Sequence, residues 1–365
     1  MKITKVDVGL VEAPLITPFK TALRTVYNIQ NIVVTIYTDN GYIGIGEAAP
    51  THVITGESLQ SIRYAIEEVI APLIIGIEID EIALLCDRID KCMYQNTSAK
   101  AAVEIALYDL WAKKYDAPLY KLLGGYRSKI TTDITISVND EEEMVKDSLE
   151  AIKRGFSILK VKVGKNPHSD VNSILAIRNA VGPDVVLRVD ANQGWTPKEA
   201  VKIIGQLEDR GADMELVEQP VHYSDISGMQ YVTNQTYTNI LADESVFSPK
   251  QAIEVIEKRA ADLINIKLMK TGGISKAQQI NAIAEANGVE CMIGCMLETK
   301  ISVSAAAHFA AANKNVTMVD LDGPSLCVKD PIEGGPFFEG ENIQMSDASG
   351  IGFLIEAFIA NKKTL

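Results

Sequence analysis

The rhythm of apolar and polar positions changes near residue 125. Before it, Val6, Val8 and Leu10 alternate with polar neighbours as one strand, and a second strand rich in β-branched residues spans 32–38. Asp39-Asn40-Gly41 is a hairpin turn signal leading into a third strand over 42–48. Three helical patterns come next, over 57–71, 79–94 and 98–115. In the last, Ser98 stands as N-cap, and Val103, Leu107, Leu110 and Trp111 form a stripe at helical spacing. Strands followed by helices describe an α+β unit. Leu122-Leu123-Gly124-Gly125 marks the junction between this unit and the rest of the chain.

Beyond the junction, strand and helix patterns alternate: strand 134–138, helix 141–154, strand 157–163, helix 168–181. Short apolar strands then end, one after another, in a charge. Taken in order, five consecutive strands end in Lys162, Asp190, Glu218, Asp243 and Lys267, at intervals of 24 to 28 residues. Two more candidate strands come after them, 290–296 leading to Glu298 and 316–322 carrying Asp320 and Asp322. That interval is the length of one βα unit, because parallel strands need a crossover connection. Eight such units close into a barrel whose catalytic groups gather where the strands end. The expected fold is α/β: a (β/α)7β TIM-like barrel over 126–325 with an N-terminal α+β capping domain over 1–125. The closing stretch, 326–365, is expected to return and pack on the capping domain.

Composition narrows the function. A chain of 365 residues, 47% hydrophobic, has room for one large and one small domain and is not of disordered type. Its net charge of −13 argues against nucleic acid or an anionic membrane as partner. No apolar run approaches the ~20 residues of a spanning helix. The first residues enter strand pattern directly, without a signal-peptide core, so a cytoplasmic location is expected. The five cysteines (86, 92, 291, 295 and 327) lie in apolar contexts and read as reduced, mostly buried thiols, with Cys291 and Cys295 in the core.

The charged strand ends carry the chemistry. A single strand-end acid commonly caps the next helix, but three on successive strands repel one another unless a cation joins them. Asp190, Glu218 and Asp243 are oxygen donors of the kind that suits Mg²⁺, and no His or Cys accompanies them, which disfavours zinc. Lys160 and Lys162 are two apart on one strand and so share a face, about 6.6 Å apart. At an effective dielectric near 20 their charges repel by roughly 2.5 kcal/mol, which favours loss of a proton from Lys162, as a general base requires. Lys267 enters from the far side of the ring, and Glu244 is expected to pair with it. Gly164-Lys165 and Thr271-Gly272-Gly273 lack the spacing of a phosphate loop, and the histidines at 52, 168, 222 and 308 form no metal or triad spacing.

Lys160-Val161-Lys162, the Asp190/Glu218/Asp243 set and Lys267 resemble, in order and spacing, the muconate-lactonising subgroup of the enolase superfamily. The resemblance spans nearly the whole chain. Asp320-Leu321-Asp322 resembles the Asp-x-Asp signature of its dipeptide epimerases, in which the two acids hold a dipeptide's ammonium group. Phe19-Lys20-Thr21-Ala22-Leu23-Arg24-Thr25-Val26-Tyr27 resembles the capping loop of epimerases acting on L-Ala-D/L-Glu, in which the matching arginine binds the glutamate side chain. The resemblance implies a Mg²⁺-dependent enzyme that inverts the α-carbon of a dipeptide's C-terminal residue, L-Ala-L-Glu to L-Ala-D-Glu, through an enediolate. Lys162 and Lys267 would be the two bases, assisted by Lys160. Arg24, Asp320, Asp322 and Glu298 would bind substrate. A homo-oligomer and a role in recycling murein peptides are part of what it implies. Racemisation of N-acylamino acids, o-succinylbenzoate synthesis and cycloisomerisation use the same set and remain open, as does a barrel kept only for binding. The first three have no need of an ammonium site, so Asp320 and Asp322 discriminate.

Overall fold

In a computed structural model, residues 1–21 and 24–355 are described. The first sheet is antiparallel: β1 (Ile3–Lys20), β2 (Thr25–Thr38) and β3 (Ile43–Ala48). β1 and β2 run far beyond the alternating residues that announce them, pairing from Ile3 with Thr38 out to Lys20 with Thr25. Their register slips between Pro14 and Phe19, where Pro14 and Pro18 have no N–H to offer a ladder. The stretch expected as a capping loop is therefore largely the end of a hairpin, with Phe19 paired to Val26. Ala22 and Leu23 of that stretch lie outside the described residues.

Helices Leu59–Tyr64 and Ala71–Ile74 are joined by a π-helical turn over Ala65–Ile70, making one run opened by a Ser58/Ser61 capping box. Helix Ile82–Lys91 comes next, then Thr97–Lys114. Ser98 does not cap this last helix. It lies inside it, and the amides of Ser98 and Ala99 donate to the Glu57 carboxylate at 2.9 and 3.0 Å. The expected stripe is only half of the helix's burial. Ala99, Val103, Leu107 and Leu110 enter the core of the small sheet and its helices. Ala101, Ile105, Tyr108 and Ala112, on the opposite face, enter the main core with the barrel shell. Gly44 and Gly46 let the helix lie against β3, since a Cβ there would sit 2.2 Å from Ala106 O and 1.9 Å from Ala102 O.

After a short β4 (Lys129–Thr131), eight parallel strands are arranged in sequence order. They are β5 (Ile134–Ile136), β6 (Ile158–Lys162), β7 (Val186–Asp190), β8 (Met214–Glu218), β9 (Asn239–Ala242), β10 (Leu263–Lys267), β11 (Cys291–Gly294) and β12 (Val316–Asp320). Inward-facing Leu216, Leu241, Leu263, Met292 and Met318 plug the lower end, leaving the upper end for polar groups. The ring closes between β12 and β5 by other means than a regular ladder. Asp133 N–H donates to Val319 O at 3.2 Å, Leu321 N–H to Thr132 Oγ1 at 2.8 Å, and Thr135 N–H to Asp322 Oδ2 at 2.7 Å. The C-terminal stretch adds β13 (Phe337–Glu339) and β14 (Asn342–Gln344) beside β4, and Ile351 N–H reaches Asp109 Oδ1 at 2.8 Å on helix Thr97–Lys114. Among the described residues no helix is long and apolar enough to cross a membrane.

One buried carboxylate ties the small sheet to the barrel. Glu47, on β3, accepts from Thr299 N–H at 2.9 Å, Thr299 Oγ1 at 2.8 Å, Ser302 N–H and Ser302 Oγ at 3.0 Å, and Asn31 Nδ2 at 2.7 Å. Two of these donors are free amides at the start of helix Lys300–Ala312. Glu47→Ala strands several buried donors at once, so it should lower unfolding free energy by about 3–5 kcal/mol, measured by urea titration. A loss under ~1 kcal/mol would mean water replaces the carboxylate at little cost.

Candidate active site

The strand register brings the charged ends together: Lys162 stands beside Asp190, and Asp190 beside Glu218. Asp243 is one residue past β9, and Lys267 closes β10, four strands round the ring from Lys162. Asp190 and Glu218 have no exposed surface, and Asp243, Lys160, Lys162 and Lys267 are all buried.

The lysines are not an isolated like-charge pair. Lys160 Nζ lies 2.6 Å from Asp320 Oδ2, 2.6 Å from Glu218 Oε2 and 3.3 Å from Asp190 Oδ2. Lys162 Nζ lies 2.5 Å from Asp190 Oδ2. Burial disfavours the Lys160 ammonium, but Asp320, Glu218 and Asp190 outweigh it and hold its pKa well above the ordinary lysine value. The expected repulsion between the two lysines is thus absorbed by acids lying between and around them. Across the ring, Lys267 Nζ is 2.7 Å from Asp243 Oδ2 and 4.0 Å from Glu218 Oε1. Asp243 likewise outweighs burial and raises Lys267.

Asp243 has a second cation that sequence reasoning misses. Lys270 is fully buried, with its ammonium 2.6 Å from Asp243 Oδ1 and bonded to the carbonyls of Asp243, Val246 (3.2 Å) and Asn265 (2.9 Å). Lying three residues past a strand end, it carries no periodic signal. Burial opposes the Asp243 charge, yet Lys267 and Lys270 together draw its pKa far below the carboxylate range. Glu218 goes the other way: burial, then the neighbouring Asp190, pushes it up to about 7. Three amides finish the frame. Asn265 Nδ2 donates to Glu218 Oε1 at 2.8 Å. Asn192 N–H donates to Asp190 Oδ1 at 2.8 Å, and Gln219 Oε1 accepts Asp243 N–H at 2.9 Å. Asn192, Gln193 and Gln219 all have positive φ (43°, 67° and 37°), backbone strain gathered directly after two of the acid-bearing strands.

Glu244 does not pair with Lys267. Neither of its oxygens finds a hydrogen-bond partner among the described residues, and burial, then Asp243, raises it to about 8. Glu298 sits behind the wall, its Oε1 accepting Met296 N–H at 2.6 Å, and does not line the cavity. Cys291 is buried in the core as expected, and Cys295 packs against the same core while also lining the cavity. All five cysteines are free.

A cavity lies over these residues and opens to solvent. Lys162, Asp243 and Lys267 form its floor, Asp320 and Asp322 one wall, and Phe19, Thr21 and Arg24 from the hairpin end its roof. Asp320 is engaged with Lys160, and that lysine, then Lys267, draws it down to about 2 against burial. Asp322 is pushed up to about 6 by burial and by Asp320. Arg24 pairs with no carboxylate among the described residues, and burial lowers its pKa. A guanidinium that burial disfavours at a cavity wall is suited to an anionic ligand group.

The acids also suit a divalent cation. Ammonium groups already bridge them, Lys160 between Asp190 and Glu218 and Lys267 between Glu218 and Asp243. With those ammoniums between them, the three carboxylates do not converge on one point among the described residues. Hard oxygen donors from three successive strands are nonetheless the ligand type Mg²⁺ takes.

Comparison with known proteins agrees with this architecture. Residues 4–124 match the family described as mandelate racemase/muconate lactonizing enzyme, N-terminal domain, and residues 143–358 match enolase C-terminal domain-like. An L-Ala-D/L-Glu epimerase from Clostridium acetobutylicum is 51% identical over 96% of this chain and 98% of its own. The substrate-liganded L-Ala-D/L-Glu epimerase from Bacillus subtilis superposes with a TM-score of 0.96 at 51% identity, covering 97% of this chain and 99% of that one. A dipeptide epimerase from Enterococcus faecalis, complexed with Mg and L-Leu-L-Tyr, gives 0.94 at 44% identity over 97% and 99%. With both halves matched and the barrel, cap and strand-end acids in place, the chain belongs to the mandelate racemase/muconate lactonizing enzyme family of the enolase superfamily.

Proposed function

We propose that this protein is a Mg²⁺-dependent dipeptide epimerase, an isomerase that interconverts L-Ala-L-Glu and L-Ala-D-Glu. The observation that carries the reading is one cavity with Lys162 and Lys267 in its lining, Asp243 beside them, Asp190 and Glu218 buried against those lysines, a paired-acid wall and an arginine roof. The relatives' activities support it. Asp190, Glu218 and Asp243 would hold the cation, which when bound supplies positive charge to the substrate carboxylate as its α-proton leaves. Lys162 takes that proton from one face of the α-carbon, and Lys267 delivers one to the other. Lys160 contacts the carboxylate while held between Asp320 and Glu218. Asp320 and Asp322 receive the dipeptide's ammonium group, and Arg24 receives the glutamate side chain. The cytoplasm, murein-derived peptides and a homo-oligomeric assembly complete the proposal, as does the absence of nucleic-acid or membrane partners suggested by the net charge of −13.

The direct test incubates L-Ala-L-Glu with the enzyme and Mg²⁺ in D₂O. One deuterium per molecule and appearance of the D-epimer are expected; neither appearing removes the function. N-acetylation of the dipeptide should lower kcat/KM by roughly 10- to 150-fold, the worth of one charge-assisted contact. Asp320→Asn/Asp322→Asn should lose most of that discrimination. Equal wild-type rates on free and acetylated peptides would indicate an N-acylamino-acid racemase, an activity of the kind found in a Bacillus cereus relative 34% identical to this chain, an N-succinyl-L-Arg/Lys racemase.

Arg24→Leu should lower kcat/KM for L-Ala-L-Glu at least about 10-fold, the loss of a charge-assisted contact, while leaving L-Ala-L-Leu unchanged or improved. Steady-state kinetics on the two dipeptides decide it. Unchanged Ala-Glu turnover would free Arg24 of the specificity role without touching the epimerase reading.

A further inference from the structure

The barrel's lower half holds an ionic group that the reaction does not use. Arg188 faces inward on β7, two residues below Asp190, and is buried. Its side chain reaches the seam between β12 and β5. There Nη1 donates to Asp133 Oδ2 at 2.9 Å and to Val319 O at 3.1 Å, while Nε holds Glu215 Oε2 at 2.6 Å. Val319 O also accepts Asp133 N–H at 3.2 Å. The carbonyl directly before Asp320 is thus fixed by two donors that Arg188 and Asp133 hold in register.

This matters because the seam has no ladder of its own among the described residues. Among the described residues the hydrogen bonds across it are these, with those of the Thr132 hydroxyl and the Asp322 carboxylate itself. Asp322 therefore serves both as a stitch, through Thr135 N–H, and as cavity wall. A loose seam would move both acids of the wall together. A planar guanidinium can hold Asp133, Val319 O and Glu215 at once in fixed directions; a lysine ammonium at that depth cannot span all three.

We propose that Arg188, with Asp133, is a positioning residue for the ammonium-binding wall formed by Asp320 and Asp322. This rests on the reading of those acids as the ammonium site. Arg188 touches neither the cavity nor any acid assigned to the cation.

The test compares L-Ala-L-Glu with its N-acetylated form in wild type and Arg188→Lys. The variant keeps the charge and loses the fork. KM for the free dipeptide should rise about tenfold with kcat within threefold of wild type, and the free-to-acetylated ratio of kcat/KM should fall at least fivefold. If Arg188→Lys does not fold, Asp133→Asn, which keeps the seam amide and the side-chain shape, is read the same way. An unchanged ratio accompanied only by a lower melting temperature would show Arg188 to be structural and overturn the proposal while the ammonium site stands. A wild type that does not discriminate between the peptides would remove the ammonium site and this role with it.

Discussion

Lys267→Ala should stop epimerisation and leave an enzyme that works on one face only. Lys162 and Lys267 stand on β6 and β10, half a turn of an eight-stranded ring apart, so in the proposed mechanism a flat α-carbon between them would be reached by one lysine from each side. Removing either interrupts the round trip, and epimerisation should fall by at least about 10²–10⁴-fold, the usual worth of a positioned base. The surviving lysine can still remove and return a proton on its own side. Lys267→Ala should exchange the α-proton of one epimer with D₂O, and Lys162→Ala that of the other. Each variant also leaves its acid a partner: Asp243 keeps Lys270, and Asp190 keeps Lys160 at 3.3 Å. Both variants should therefore fold. Mass spectrometry of the separate L,L and L,D peptides reads the result, and equal exchange of both epimers by both variants would end the two-base reading.

The three acids proposed to hold the cation give the second large effect, with an order the geometry supplies. Asp190→Asn, Glu218→Gln and Asp243→Asn should each bring turnover to background, as should excess EDTA on the wild type, with activity restored by Mg²⁺. Stability should separate them. Glu218 sits at about 7, already partly protonated near neutrality, so Glu218→Gln should disturb the fold least. Asp243 is the shared partner of Lys267 and Lys270, and Asp243→Asn leaves two buried ammoniums short of charge. Its unfolding free energy should drop by about 3–5 kcal/mol, the cost of breaking a buried pair. Full activity in EDTA would remove the metal assignment. Equal stability of the three variants would show that lysine pairing is not what holds these acids in place.

The barrel is legible because it repeats. A charge at the end of an apolar strand, recurring every 24 to 28 residues, survives translation into three dimensions: Lys162, Asp190 and Glu218 stand side by side in register. Features set by tertiary neighbours leave no such trace. Nothing local distinguishes Lys270, whose ammonium is held by three carbonyls, one just past the end of β9, one in the loop after it and one in the middle of β10. Arg188 reads as an outlier in an apolar strand until its two acids, 55 residues before and 27 after, come into view. Ser98 has the right chemistry for a cap near the right place, but Glu57, 41 residues earlier, supplies the acceptor. Along the chain Lys160 and Lys162 are two cations side by side; only the fold brings Asp320, Glu218 and Asp190 around them. The full length of the hairpin is hidden because prolines at 14 and 18 interrupt its alternation without ending its strands.

Helix Thr97–Lys114 has a consequence for how the molecule comes apart. Its two faces belong to different cores, so neither the small sheet nor the barrel shell can lose its packing without exposing one side of the same rod. Glu104, on that helix, also holds Ser275 at the start of a barrel helix, and Asp109 holds Ile351 from the C-terminal stretch. A chain of 365 residues would ordinarily be expected to melt in stages, one domain before the other. Here the first opening that frees one unit strips the other, and calorimetry should show a single heat-absorption peak whose van't Hoff and calorimetric enthalpies agree.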